Sequence, residues 1–199
     1  MRSFVGVVNK SVEIYYNSCR MLSKLYASGI LGEYSDVDHI AFRGINNLEE
    51  KHKHIIESGV YKLEGVLEFP EKAIKANWYS RTTPIVPKRM FVSAINPESK
   101  IADQQYINWV LKNGDNVNHM AYVVDDINKT IEMCIVEEIP LNVDDGVIKI
   151  SKDGKLLQAS TRGNTFVEFV QRVDGREGFE VENAGPIFNS TKKSLETLS

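Results

Sequence analysis

The sequence predicts an α+β fold in which two tandem β-α-β-β-β modules form one mixed-sheet cleft, preceded by an N-terminal helix. Three observations carry that expectation. The hexapeptide Val37-Asp38-His39-Ile40-Ala41-Phe42 returns as Val117-Asn118-His119-Met120-Ala121-Tyr122 within a chain of 199 residues. Each copy reads as a short, mostly buried strand followed by a capped helix and three extended stretches. The last stretch of each set matches again, Phe91-Val92-Ser93 in the first and Phe166-Val167-Glu168 in the second. A unit used twice explains all three. The expected layout is one domain over 1–199: a helix in 1–35, a first module in 36–100, and a second module with a helical tail in 101–199.

The elements follow in order. Phe4, Val8, Val12, Tyr15, Cys19, Leu22 and Tyr26 recur at three- and four-residue steps, the stripe of a helix that packs on its own sheet, with Gly29 and Gly32 placed to end it. Residues 37–42 form the first strand. Residues 48–58 form a helix with Asn46 or Asn47 as cap and Gly59 as stop. Strands follow at 61–69, 73–80 and 88–95, with Pro84 and Pro87 in the loop before the last. A connecting helix at 104–112 closes on Asn113-Gly114. The second module then runs as a strand at 117–122, a helix at 127–138 capped by Asp125 or Asp126, and strands at 146–151, 155–161 and 165–172. Asp153-Gly154 and Gly163-Asn164 supply the tight turns between those strands. A short helix is expected at 186–198.

Composition narrows the function classes. The chain is 42% hydrophobic and 26% charged, ordinary material for a packed core. A net charge of −3 with scattered Lys and Arg argues against nucleic acid as a partner. No apolar run reaches the ~20 residues that span a bilayer, so no membrane partner is expected. The polar N-terminal stretch does not read as a secretory leader, and Cys19 and Cys134 lack zinc-type spacing; reduced core thiols in a cytoplasmic protein are expected.

If the first and last strands of each module face a common cleft, they present His39, Ser93, His119 and Glu168. Two imidazoles and a carboxylate form the facial triad of non-haem Fe(II) oxygenases, with positions left for substrate and dioxygen. A lone histidine on an apolar strand is usually a hydrogen-bonded core residue. Two at equivalent points of a repeat, with a glutamate inside Phe-Val-Glu-Phe-Val, need a shared reason, because an unpartnered buried carboxylate costs several kcal/mol. Strand parity puts Arg43 on the face of His39. There it could clamp a substrate carboxylate, or pair with an acid at the rim. Gln158 and Ser160 share a face of their strand and Lys149 lies on the strand before; with Ser93 they are candidates for substrate contacts. His52 and His54 point apart on a helix and read as a solvated face.

These residues resemble a known group. The pattern is similar to the vicinal-oxygen-chelate (glyoxalase-like) superfamily, and within it to the 2-oxoadipate dioxygenase/decarboxylases (hydroxyglutarate synthases). The resemblance rests on Asp38-His39-Ile40-Ala41-Phe42-Arg43, Phe69-Pro70-Glu71-Lys72 with Ala76, and Pro87-Lys88-Arg89-Met90-Phe91-Val92-Ser93. It continues through Asn118-His119, Gly146-Val147-Ile148-Lys149, Leu156-Leu157-Gln158-Ala159-Ser160-Thr161 and Phe166-Val167-Glu168-Phe169-Val170-Gln171-Arg172. It closes with Gly178-Phe179, Asn183-Ala184 and Ile187-Phe188-Asn189-Ser190-Thr191. The stretch from Phe166 to Arg172 and the matches from Gly178 to Thr191 also resemble the C-terminal part of 4-hydroxyphenylpyruvate dioxygenase. The resemblance implies that His39, His119 and Glu168 hold Fe(II), or another divalent metal as purified, and that Arg43 binds the substrate carboxylate. It implies a small 2-oxo acid and O2 as substrates, with decarboxylation followed by hydroxylation of the remaining chain. The family's members are longer, with segments around the active site that this chain lacks, so the implied substrate is less specific than the implied metal. A homo-oligomer is compatible with the pattern. Non-oxidative metal-dependent chemistry (isomerase, lyase or hydrolase) and a non-catalytic ligand-binding module are the alternative readings.

Overall fold

The structure is a computed structural model that describes residues 20–32, 36–143, 146–163 and 166–177. Helix α1 is described over 20–27, and Gly29 ends it with a φ of 72°. The first module comprises β1 (Val37–Ile45), α2 (Leu48–Glu57), β2 (Tyr61–Phe69), β3 (Ile74–Arg81) and β4 (Arg89–Ile95). The linker helix α3 (Gln104–Asn113) leads to β5 (Asn116–Val123), α4 (Ile127–Val136), β6 (Lys149–Ile150), β7 (Leu156–Ser160) and β8 (Phe166–Arg172). The predicted elements are all present where they fall on described residues. The tail helix expected at 186–198, most of the N-terminal stripe, Cys19 and the matches from Gly178 onward lie outside them.

The eight strands among the described residues form one mixed sheet in the order β2-β3-β4-β1-β5-β8-β7-β6. The first and last strands of each module are therefore its inner four. β1 pairs with β4 in parallel and with β5 antiparallel, and β5 pairs with β8 in parallel.

The β1–β5 ladder carries two bulges. Val37 faces Tyr122 and His39 faces Ala121, so Asp38 is an extra residue in β1. Ala41 faces His119 and Phe42 faces Val117, so Asn118 is an extra residue in β5. A bulge turns a side chain that would alternate away back toward its neighbour's side.

One face of the sheet is covered by the module helices. Ile40, Phe42, Met90, Val92 and Tyr79 pack with Leu48 and Ile55 of α2. Met120, Tyr122, Val167 and Phe169 pack with Ile127, Ile131 and Cys134 of α4, and Leu25 of α1 completes that core. The N-terminal helix thus packs on its own sheet as expected, and Cys134 is a free core thiol. Asp126 caps α4 by accepting from the Asn128 and Lys129 amides. Asn47 precedes α2 with a φ of 56° but its side chain makes no capping bond.

The opposite face behaves differently. Tyr106, Ile107, Trp109 and Val110 of α3 pack there against Ile45, Ile74, Ala76, Phe91 and Ile95. The linker helix, capped by Asp103, therefore fills the first module's half of this face. His119, Glu168 and Gln158 stand on the second module's half.

Candidate metal centre

His39 on β1, His119 on β5 and Glu168 on β8 converge from three strands, as their inner places in the sheet require. The two imidazole Nε2 atoms are 3.1 Å apart. Glu168 Oε2 lies 3.7 Å from Nε2 of His39 and 3.3 Å from Nε2 of His119. All three residues are buried, Glu168 to 1% exposure.

The bulges explain how the rings are held. Nδ1 of His39 donates to Asp38 Oδ1 at 3.0 Å, because an ionised carboxylate can only accept. Nδ1 of His119 donates to Asn118 Oδ1 at 3.0 Å. Each ring then carries its proton on Nδ1 and turns a lone pair on Nε2 inward. Glu168 adds a third acceptor: Gln158 Nε2 donates to its Oε1 at 2.5 Å, while its Oε2 accepts no hydrogen bond.

Three acceptors that crowd within 3.7 Å repel one another unless a cation lies between them. Ligands bound at about 2.0–2.2 Å to one ion stand roughly 3 Å apart, so these residues fit a divalent metal. Among the described residues they are the one such group of three.

Electrostatics agree with a site built for a charge it does not itself supply. Burial pushes the Glu168 carboxyl above its usual range, with His39 opposing. Burial, then His39 and Arg43, push His119 well below the ordinary imidazole value. Asp38 is the exception: burial would raise it, yet hydrogen bonds from His39 and Arg172 hold it well below the carboxylate range.

Arg43 lies on the site's face of β1, as parity predicted, with 3% exposure. Its guanidinium sits 5.2 Å from the Tyr106 ring centre and 5.7 Å from that of Trp109. Burial lowers its pKa to about 10, with Tyr106 and Asp103 opposing. It is not a rim residue: α3 packs over it.

Ser93 needs a correction. Parallel pairing sets Ala121 beside Glu168 and Ala41 beside Phe91, so Phe91 is the first module's equivalent of Glu168. Matching Phe91-Val92-Ser93 to Phe166-Val167-Glu168 by sequence was two residues out of register. Ser93 instead neighbours Arg43 on β1, donates to the Phe42 carbonyl at 2.9 Å and bonds the Tyr106 hydroxyl at 2.8 Å. Phe91 stands edge-on to His39, ring centres 5.1 Å apart, and Phe166 stacks on His119 at 4.7 Å.

The remaining candidates spread outward. Ser160 is half-buried beside Glu168 on β7, and Lys149 lies on the edge strand β6, paired with Gln158. His52 is half-buried and bonds the Tyr79 hydroxyl at 3.0 Å, so it is less solvated than predicted, while His54 is exposed. Sequence reasoning gave no role to Asp38, Asn118, Tyr106 or Trp109. Asp38 and Asn118 could have been found as polar residues next to each repeated histidine.

The strand order, the doubled module and the three-residue cluster on inner strands define a vicinal-oxygen-chelate, or glyoxalase-like, fold. In sequence the chain is similar to two plant 2-oxoadipate dioxygenase/decarboxylases. It is 29% identical over 133 residues to the chloroplastic 2-oxoadipate dioxygenase/decarboxylase of Arabidopsis thaliana, covering 47% of this chain and 36% of that protein. It is 24% identical over 265 aligned positions to the chloroplastic/amyloplastic protein of the same name from Oryza sativa subsp. japonica, covering 83% of this chain and 72% of that one. An alignment longer than the chain itself crosses segments that only the relative has, and the chain spans about a third of the Arabidopsis protein. The Oryza sativa hydroxyglutarate synthase, solved in complex with 2-oxoadipate, superposes with a TM-score of 0.76 at 22% identity, over 97% of this chain and 93% of that one. A glyoxalase superfamily protein from Ralstonia eutropha JMP134 superposes with a TM-score of 0.55 at 16% identity, over 71% of this chain and 73% of that one. No protein-family model matches the chain. No helix among the described residues is long and apolar enough to cross a membrane.

Proposed function

We propose that the chain is a non-haem Fe(II)-dependent dioxygenase/decarboxylase of a small 2-oxo acid resembling 2-oxoadipate, with a 2-hydroxy acid and CO2 as products. The observation that carries this reading is the convergence of His39, His119 and Glu168 with their three lone pairs inward and one carboxylate oxygen without a hydrogen bond. These three would hold the metal. When bound, Fe(II) would supply coordination sites for the keto acid and dioxygen and relay to dioxygen the electrons that the keto acid gives up on losing CO2 and being hydroxylated.

The chain's own residues supply the rest. Asp38 and Asn118 fix the imidazole tautomers, and Gln158 fixes the Glu168 carboxylate. Arg43 offers a permanent cation on the same face for the acid's carboxylate, held in place by Tyr106 and Trp109. Phe91 and Phe166 flank the imidazoles with apolar surface and keep water from the reacting atoms. Ser93 steadies Tyr106 and lies next to Arg43. Ser160, beside Glu168, and Lys149, further out, complete the set of proposed substrate contacts.

An oxygen electrode tests the reading. Protein loaded anaerobically with Fe(II) should consume O2 and release CO2 when given 2-oxoadipate or a close analogue. Flat traces across a panel of 2-oxo acids would overturn it. Turnover supported by Zn(II), Ni(II) or Co(II) without oxygen would instead place the chain among the non-oxidative enzymes of this fold.

A further inference from the structure

The two bulged residues hold equivalent places in the repeat, yet they differ in charge and in what surrounds them. Asn118 makes one bond that orients His119, and its Nδ2 has no hydrogen-bond partner. Asp38 sits at the centre of a buried cluster. Arg172 reaches it from the end of β8 with two prongs, Nε to Oδ2 at 2.7 Å and Nη2 to Oδ1 at 3.0 Å. Arg89, the first residue of β4, donates to Oδ2 at 3.1 Å. Arg89 and Lys88 also pair with Glu177. The carboxylate behind His39 is therefore clamped from both modules, and its position cannot drift with the ring.

A carboxylate accepts a stronger hydrogen bond from an imidazole N–H than a neutral amide does. The bond draws the Nδ1 proton away from the ring and makes Nε2 the more basic donor. Partners of this kind tune metal affinity as well as orientation.

We propose that Asp38 is a positioning residue that makes His39 the dominant imidazole donor of the centre, whereas Asn118 only orients His119. The duplicated site is thus electronically unequal by one substitution between its halves. The arginine clamp holds that carboxylate in place: Arg172 Nη2 shares Oδ1 with the His39 ring, while Arg172 Nε and Arg89 Nη1 take Oδ2. This inference rests on the metal reading above, and its test separates the two.

Zn(II) is a suitable probe, since it is diamagnetic and redox-inert. In the Zn(II)-loaded wild-type chain, imidazole 15N–1H spectra should show both rings protonated on Nδ1, with the His39 proton further downfield than that of His119. Chelator competition should show D38N binding Zn(II) about 10- to 100-fold more weakly, with the downfield proton shifted toward the position of the other. A wild type that binds no Zn(II) would overturn the metal reading and this inference together. A wild type that binds Zn(II) with both Nδ1 protons at one shift, or with His39 bound through Nδ1, would overturn this inference alone. An affinity unchanged in D38N would do the same. If the loss of charge between two arginines prevents D38N from folding, the wild-type spectrum alone decides.

Discussion

Glu168 is one carboxylate whose second oxygen is buried without a hydrogen bond. That arrangement costs the metal-free protein free energy, and burial accordingly raises the group's pKa. Glu168→Gln keeps the shape and the Gln158 contact while removing the charge. The variant should lose metal binding, yet its metal-free form should melt at the same temperature as wild type or higher, by an amount on the order of 1 kcal/mol. A lower melting temperature would mean that the carboxylate has a stabilising partner of its own. Arg43 makes the second case at this scale. Arg43→Gln should leave metal content intact and raise the KM for a 2-oxo acid at least roughly tenfold, since each hydrogen bond to a charged group is worth about 1.5–3 kcal/mol. Steady-state kinetics beside metal analysis would show it. Parity alone revealed where Arg43 points, because residues four apart on a regular strand share a face. The same rule does not extend to Asp38 and Asn118. Both are bulge residues, and a bulge is a break in the alternation that parity assumes.

Helix α3 was legible as a helix from its apolar spacing and its Asn113-Gly114 stop, but its destination was not. Periodicity tells which side of a helix is buried and not which face of a sheet receives it. The structure lays Tyr106, Trp109 and Val110 on the first module's half of the site face, and this makes the two halves of the cleft unequal. Trp109 is fully buried and stands under the Arg43 guanidinium. Trp109→Ala should cost about 3–5 kcal/mol and loosen Arg43, visible as a lowered melting temperature together with a raised KM in whatever fraction stays folded. A loss below about 1 kcal/mol would show that α3 is not a structural wall. β4 carries the matching lesson in register. Phe-Val recurs in both last strands, so aligning by residue type put Ser93 opposite Glu168, while hydrogen-bond pairing sets Phe91 there. A two-residue slip keeps every side chain on its face, so the hydrophobic pattern cannot detect it.

For the molecule as a whole the duplication was the most legible feature, and it pointed to the strands on which His39, His119 and Glu168 converge. It also sets how the metal-free protein responds to pH. His119 resists protonation when folded, whereas in the unfolded chain it titrates near 6.5. The unfolded state therefore binds more protons below that value, and the His119 contribution to stability is lost as pH falls through it. Glu168, raised when folded, works in the opposite direction, losing relative stability as pH rises above the ordinary value of 4.5. The contribution of His119 is isolated by difference: the wild type should lose more melting temperature than H119Q between pH 7.5 and 5.5, with metal removed from both. Equal slopes would mean that His119 titrates normally in the fold.

The proposed activity depends on His39, His119 and Glu168 acting as one centre. Metal content after anaerobic loading with Fe(II) and removal of excess tests this most directly. The wild-type chain should retain one iron per molecule, while H39A, H119A and E168A, each folded by circular dichroism, should retain essentially none. Full iron content in any one of these folded variants would contradict the shared centre.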